Sequence, residues 1–536
     1  MKIKFMGAAR TVTGSCYIIE TQKVRFAVDC GMHQGNTEIE KRNWDVDIYK
    51  PGQIDFFVIT HAHIDHSGLL PRMVRHGFRG PVYATEPTGE LLKILLLDSA
   101  HIQEVEAAWK NKKKQRNGKN ADALPLYSLS DAESAGPLIQ TKTYNEVFVP
   151  TEGIKVNFKD AGHILGAAIL EIFIRENNAP VKLVFSGDIG RPQQLLMQDP
   201  MPIDEADFLF MESTYGDRNH KGEQDSLDEL AQAIGYSYSN GEKVVIPAFA
   251  VERTQEIIYS LYLLSRQGKL PKDMPVFLDS PLAIRATEIF RRYASYLDSE
   301  TQSLLKNGED PLRLPQLQFS LTTEQSMQIN ELKGPAIIIS ASGMANAGRI
   351  KHHLRHNLWR EGASVVFVGF QAEGTTGRKI VDGAKKIRIL GEDIAIKAKI
   401  FTINGFSAHA GQDQLLDWLG HFRNKKMQIF LVHGEFPAQE KLAALIKEKY
   451  GFAVDIPEYL EEIQLQPNAR FTAIKQTESP KPPAFLGSAL DELKAKIDYI
   501  NSRKQNIQHL SSAEQAEILE LLKDMNRNFN EIKSHL

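Results

Sequence analysis

The chain has 536 residues, 42% hydrophobic and 24% charged, with 64 basic and 67 acidic side chains and a net charge of −3. Such a length exceeds one core and predicts two or three domains, and the composition excludes a disordered or fibrous chain. The near balance of charge excludes nucleic-acid binding by overall charge, so such a partner needs a local basic patch.

The two cysteines, Cys16 and Cys30, imply no disulfide framework and fit a reducing compartment. The N-terminus runs into Gly7 and Arg10 without an apolar signal segment, and no run approaches the roughly 18 apolar residues of a membrane span. The expected location is cytoplasmic, with no membrane partner.

Residues 2–5, 15–20 and 24–28 read as a β-meander, split by Gly7, Gly14 and the Thr21-Gln22 turn. Asp29 follows the third strand. A carboxylate there can orient a ligand histidine, and it can equally be a turn or helix-cap aspartate. The apolar run 55–59 predicts a buried strand, and Thr60-His61-Ala62-His63-Ile64-Asp65-His66-Ser67 follows at once. Side chains two apart on an extended segment point the same way, so His61 and His63 can converge on one metal ion. Asp65 and His66 fall at the start of a predicted helix, 65–74, and can turn towards a second. With histidine at 16 of 536 residues, H-x-H-x-D-H arises by chance with odds of roughly one in a thousand.

A strand at 81–84 precedes a helical pattern, 86–109, with Leu91, Leu92, Leu95, Leu96 and Ile102 on one face. It meets Lys110, Lys112, Lys113, Lys114, Arg116 and Lys119, read as a solvated loop or as a phosphate-attracting one. Strands are predicted at 154–158, 168–174 and 181–186. His163 stands between glycines in Ala161-Gly162-His163-Ile164-Leu165-Gly166, and Asp188 follows an apolar strand in Phe185-Ser186-Gly187-Asp188-Ile189-Gly190. Each is weak alone. Beside the histidine block they add a further ligand and a carboxylate able to bridge two ions.

In this order Asp29, the block from 61 to 66, His163 and Asp188 resemble the four motifs of the metallo-β-lactamase fold, an αββα sandwich with a dinuclear zinc site at one edge. The resemblance implies two Zn2+ per chain: one held by His61, His63 and His163, the other by Asp65 and His66, with Asp188 bridging. Paired ions of this kind suit displacement at phosphorus.

Three later segments resemble motifs A, B and C of the β-CASP nucleases: Glu212 ending the strand before Ser213-Thr214-Tyr215-Gly216, His409 in Ser407-Ala408-His409-Ala410, and His433 after an apolar strand. The resemblance covers about residues 1–470. It implies a zinc-dependent ribonuclease of single-stranded RNA, with His409 paired to Glu212 as general acid, His433 as a further ligand of the second zinc, and Asp29 orienting a histidine. It divides the chain into the sandwich (1–207 and 394–470) and an inserted β-CASP α/β cap (208–393). Strands at 244–246, 276–278, 336–339 and 364–368 alternate with helices in the cap. A linker at 471–484 and a helical extension at 485–536 complete the chain. The extension carries apolar spacings compatible with packing on the body or in a homodimer.

Three polar turns after cap strands offer backbone N–H groups for phosphate, or are plain βα-turn chemistry. With motif A they nominate Ser213, Thr214, Arg253, Thr254, Ser342, Gly343, Arg349 and Arg378 as RNA contacts. Glu252 stands where glycine is usual in the family, and an acid there could repel phosphate. His33 is unusual too, and is not expected to be a ligand. The rival readings are a DNA nuclease of the same superfamily, disfavoured by histidine at 433; a small thioester or lactone hydrolase, disfavoured by the long insertion; and an inactive scaffold, disfavoured by the complete ligand set.

Overall fold

The computed structural model describes residues 1–465 except 117–121, 177–178, 221, 370, 372–373 and 425. The expected linker and helical extension, Lys119, and part of the third cap turn lie outside the described residues.

Two seven-stranded sheets form the sandwich. The first runs Glu462–Gln464, Lys2–Phe5, Tyr17–Glu20, Arg25–Val28, Phe56–Val58, Val82–Thr85 and Ile139–Lys142. The second runs Ala453–Asp455, Gln428–Val432, Phe208–Glu212, Ala179–Phe185, Ala168–Glu176, Ile154–Asp160 and Phe148–Thr151. The expected meander is the antiparallel opening of the first sheet. Alternate residues on the strands point inward, and Phe5, Tyr17 and Phe26 of one sheet share a core with Phe158, Phe185, Phe210 and Phe430 of the other. Phe185 and Phe430 stack on either side of Phe210, with centroids 4.3 and 5.1 Å from it. This aromatic layer underlies the edge where the sequence places its metal motifs.

The cap sheet is all parallel, ordered Leu317–Phe319, Val276–Leu278, Ile337–Ser340, Val244–Pro247, Ser364–Phe367 and Lys399–Thr402. Its central strands are buried on both faces, which accounts for runs such as Val244-Val245-Ile246 and Ile337-Ile338-Ile339. Val245 and Ile338 pack under Leu354 and Leu358, while Val244 and Ile337 face the main core.

Several expected boundaries move. Phe208–Glu212 pairs with sandwich strands on both sides, so the sandwich extends past 208. Residues 394–403 are not one sandwich strand. Glu392–Ala395 closes a hairpin on Lys386–Ile389, through Leu390 and Gly391 at φ 53° and 90°, the left-handed pair a tight hairpin turn requires. Lys399–Thr402 then completes the cap sheet, so the chain re-enters the sandwich after Thr402. The predicted helix 65–74 is two, Ile64–Ser67 and Leu70–Arg75. Leu69 N–H turns to the Cys30 carbonyl, and Pro71 has no N–H to continue the ladder. From Lys110 to Arg116 the basic run is helix and not loop: Glu86–Arg116 carries it, with no glycine or proline between Gly89 and Arg116 to stop it.

Candidate metal centre

The parallel strands deliver polar side chains to one edge. Asp29 follows Arg25–Val28, His61 follows Phe56–Val58, Asp188 follows Ala179–Phe185, Glu212 ends Phe208–Glu212, and His433 follows Gln428–Val432. His163 lies on the turn joining Ile154–Asp160 to Ala168–Glu176. That turn is pressed against the Asp188 loop: a Cβ on Gly190 would lie 1.8 Å from the Gly162 carbonyl oxygen, so only glycine permits the approach.

His61, His63, His163 and Asp188 converge as one group. His63 Nδ1 lies 3.1 Å from His61 Nε2 and 3.3 Å from His163 Nε2. Asp188 Oδ2 lies 3.4 Å from His61 Nε2 and 3.6 Å from His163 Nε2. A tetrahedral ion with ligands at about 2.0–2.1 Å needs ligand-to-ligand edges of about 3.3–3.4 Å, so the four atoms fit an ion of zinc's size. Burial, helped by His66, holds His61 well below the ordinary imidazole value; burial brings His63 down to about 4; burial and His409 lower His163. The three rings therefore present neutral, ligating nitrogens.

A second group holds Asp65, His66 and His433. His433 Nε2 is 3.6 Å from Asp65 Oδ2, and Asp188 Oδ1 is 3.3 Å from His66 Nε2 and 3.5 Å from His433 Nδ1. His433 Nε2 and Asp188 Oδ1 are buried without a hydrogen-bond partner, a costly state that a cation between them would relieve. Burial lowers His66, but Asp188 and Asp29 outweigh it and hold the ring well above its ordinary value. The three converging donors and the two unpartnered atoms fit a second ion.

Asp29 is 1% exposed and accepts from Thr60 N at 2.7 Å and Thr60 Oγ1 at 2.9 Å, with His66 Nδ1 at 2.8 Å. It thereby fixes both the start of the histidine loop and the face that His66 turns inward. His409 Nδ1 lies 3.2 Å from Glu212 Oε1. Burial lowers His409, yet Glu212 and Asp188 carry it up to about 9.

The nominated RNA contacts divide. Ser213 and Thr254 are buried and bonded to the carbonyls of Val432 and Phe249. Arg253 is buried against Glu256. Arg349 bonds Asp279 and the carbonyls of Ser320 and Leu321. In this structure the hydroxyls of Ser213 and Thr254 and the guanidiniums of Arg253 and Arg349 are engaged by protein groups, Arg349 remaining partly exposed. Thr214 Oγ1 lies 3.1 Å from His433 Nδ1. The cap turns do meet: Gln371 Nε2 donates to Gly343 O, Gly377 N to Met344 O, and a Cβ on Gly343 would strike the Phe249 ring. Ser342, Gly343 and Arg378 belong to that cluster, and Arg378 pairs with the exposed Asp382.

Glu252 has φ 69° and ψ −66°, with Arg253 N bonded to Val251 O. This is the three-residue γ-turn that strains every residue but glycine. Burial pushes its carboxyl well above the ordinary value, which suppresses the charge expected to repel phosphate. His33 is buried beneath Gly14 beside Tyr49, away from the ligands. Sequence reasoning missed Thr60, which clamps Asp29.

Three domain families match along the chain: Metallo-beta-lactamase superfamily domain at 18–189, Beta-Casp domain at 254–380, and Zn-dependent metallo-hydrolase RNA specificity domain at 393–457. The chain is 37% identical over 447 residues to Ribonuclease TTHA0252 of Thermus thermophilus, covering 83% of this chain and 95% of that protein. It is 31% identical over 483 residues to Transcription termination factor FttA of Pyrococcus abyssi, and 29% identical over 475 residues to that of Methanocaldococcus jannaschii. Each of these two matches covers 87% of this chain and 72% of the relative. Among the described residues no helix is long and apolar enough to cross a membrane.

Proposed function

We infer the activity from one premise: the chain belongs to the β-CASP family of metallo-β-lactamase-fold nucleases. It is a metal-dependent hydrolase of RNA phosphodiester bonds. The observation that carries this reading is His409, paired with Glu212 and within 4.0 Å of Asp188 at the edge of the two-ion ligand set.

The finer reading is a dinuclear zinc ribonuclease of single-stranded RNA. His61, His63 and His163 would hold one zinc, Asp65, His66 and His433 the other, with Asp188 serving both. When bound, the ions supply an activated water and charge stabilisation on the phosphate's non-bridging oxygens. Asp29 keeps His66 turned so that Nε2 faces inward. His409, paired with Glu212, gives its proton to the leaving 3′ oxygen, leaving a 3′-hydroxyl and a 5′-phosphate. Thr214, Ser342, Gly343 and Arg378 line the strand's path, their turns offering N–H groups and one guanidinium to phosphates. A single strand threads between sandwich and cap more easily than a duplex. The two cysteines, both buried free thiols, support a cytoplasmic setting.

End-labelled single-stranded RNA and DNA oligonucleotides, incubated with zinc-loaded protein, test the reading. RNA ladders ending in 3′-hydroxyls are expected. Equal cleavage of DNA would overturn the RNA preference, and turnover of a thioester with no nuclease activity would overturn the class.

A further inference from the structure

Helix Glu86–Arg116 starts at the metal centre and ends far from it. Thr88 Oγ1 donates to Gly166 O at 2.9 Å, on the turn that carries His163. Glu86 and Glu90 meet Tyr296 and Arg292 of the cap at 2.9 and 3.2 Å, so the first turns lie at the seam of sandwich and cap. At 1.5 Å per residue, Lys113 lies about 38 Å beyond Thr88 along the helix axis. The distal turns are held to the body. Gln103 and Glu104 accept from Leu126 N and Leu129 N, and Asn111 exchanges two hydrogen bonds with Ala123.

One face of these turns is open. Val105, Ala108, Trp109, Lys112, Lys113 and Arg116 follow the i, i+3, i+4 spacing of a single helical stripe, and all are exposed, Trp109 by 60%. Lys113 Nζ stands over the indole, 5.4 Å from the ring centroid. No acid occurs between Glu106 and Asp122. Asp122 pairs with Lys114, and among the described residues Lys110, Lys112, Lys113 and Arg116 have no carboxylate partner. Basic side chains on other turns and helices do: Lys93 pairs with Glu90, Arg291 with Glu288 and Arg378 with Asp382.

Helix polarity favours cations in the last turn, which accounts for Lys113, Lys114 and Arg116. It accounts neither for Lys110 and Lys112 nor for an exposed indole beside them. Like charges three and four apart, as in Lys110 with Lys113 and Lys114, repel along the helix. A polyanion removes that repulsion. An aromatic ring among cations is the pairing that holds a single strand, with a base on the ring and phosphates on the charges. A membrane-surface helix needs a broad apolar face, and this stripe offers only Val105 and Trp109 as large apolar side chains.

We propose that this stripe is a second RNA-binding surface, which takes the substrate's flanking single strand with a base on Trp109 and phosphates on Lys112, Lys113 and Arg116. It rests on the reading of the chain as a hydrolase of single-stranded RNA. A stacked strand rising about 3.4 Å per nucleotide covers the length of the helix in about eleven nucleotides.

The test compares single-stranded RNAs of about six and about thirty nucleotides, the first too short to reach the stripe, on the zinc-loaded protein. Trp109→Ala, and separately the triple variant Lys112→Gln, Lys113→Gln, Arg116→Gln, should raise KM for the long RNA about fivefold to a hundredfold. Neither should change kcat or cleavage of the short RNA. Trp109→Phe keeps a stacking ring and should recover most of the loss. Binding of the long RNA to metal-free protein, read by fluorescence anisotropy, reports the stripe without cleavage. The slope of log Kd against log salt should be shallower by about 2 in the triple variant, at about 0.7 per lost phosphate contact, and unchanged in Trp109→Ala. Wild-type KM and affinity for the long RNA in both variants, or equal loss with both RNAs, overturns the proposal. Lost binding to vesicles of phosphatidylserine and phosphatidylcholine, with RNA affinity intact, overturns it in favour of a membrane surface. Should the wild type cleave neither RNA, the ribonuclease reading fails, and the anisotropy still decides the stripe.

Discussion

Glu212 Oε1 lies 3.2 Å from His409 Nδ1 and accepts the Ile189 N–H at 2.6 Å. One carboxylate oxygen thus holds the proton donor and the residue next to Asp188. Glu212→Gln keeps the shape and removes the charge that raises His409. We expect kcat to fall about a hundredfold or more while bound metal, measured by mass spectrometry, stays unchanged. Loss of metal in this variant would assign Glu212 to the ion-binding set instead.

Asp188 stands within 3.6 Å of ring nitrogens in both ligand groups. Asp188→Asn is expected to lose metal and RNA cleavage together, with the far-ultraviolet circular dichroism of the wild type. Chelation should do the same reversibly and lower Tm, since an ion at a hundred times its Kd stabilises the folded state by about 2.7 kcal/mol. Cleavage persisting in metal-free protein would end the metal mechanism.

Asp29 touches no ion position directly, but fixes His66 through Nδ1 at 2.8 Å. Asp29→Ala should weaken metal affinity by about tenfold to a hundredfold, read by competition with a chromophoric chelator. Unchanged affinity would leave Asp29 as a loop clamp on Thr60.

Asp279 tests acid stability in the cap. It is buried and bonded to His353 Nε2, Ser326 and Arg349 at 2.6, 2.6 and 2.7 Å. Burial opposes its charge, but His353, Ser326 and Arg349 outweigh burial and bring it from 3.8 to about 2. A carboxyl lowered on folding stabilises fully above its unfolded value and loses that contribution as pH falls towards 2. The contribution is about 2 kcal/mol. Denaturant unfolding from pH 5 to pH 2 should show this loss in the wild type and a shallower slope in Asp279→Asn.

Glu252 carries backbone strain and a buried carboxyl oxygen without a partner. Glu252→Gly relieves both and should raise stability by about 1–3 kcal/mol, seen as a higher denaturant midpoint with unchanged m-value. A lower midpoint would mean the side chain is needed where it sits.

The sequence by itself determined which side chains could form the centre. His61, His63, Asp65 and His66 lie in six residues after an apolar strand, and His163, Asp188 and His433 each follow or join recognisable strands. Local periodicity places strand ends, and strand ends of a sandwich converge, so these residues meet where their spacing pointed. Other features depended on pairing between distant segments. Only the tertiary structure turned Arg253 and Arg349 inward to Glu256 and Asp279, assigned Lys399–Thr402 to the cap sheet, and set Arg191 against the Gly405 carbonyl. An arginine in a polar turn reads alike whether it faces a phosphate or a buried carboxylate. Burial and the partner across the fold decide between them, and neither is written in the neighbouring residues.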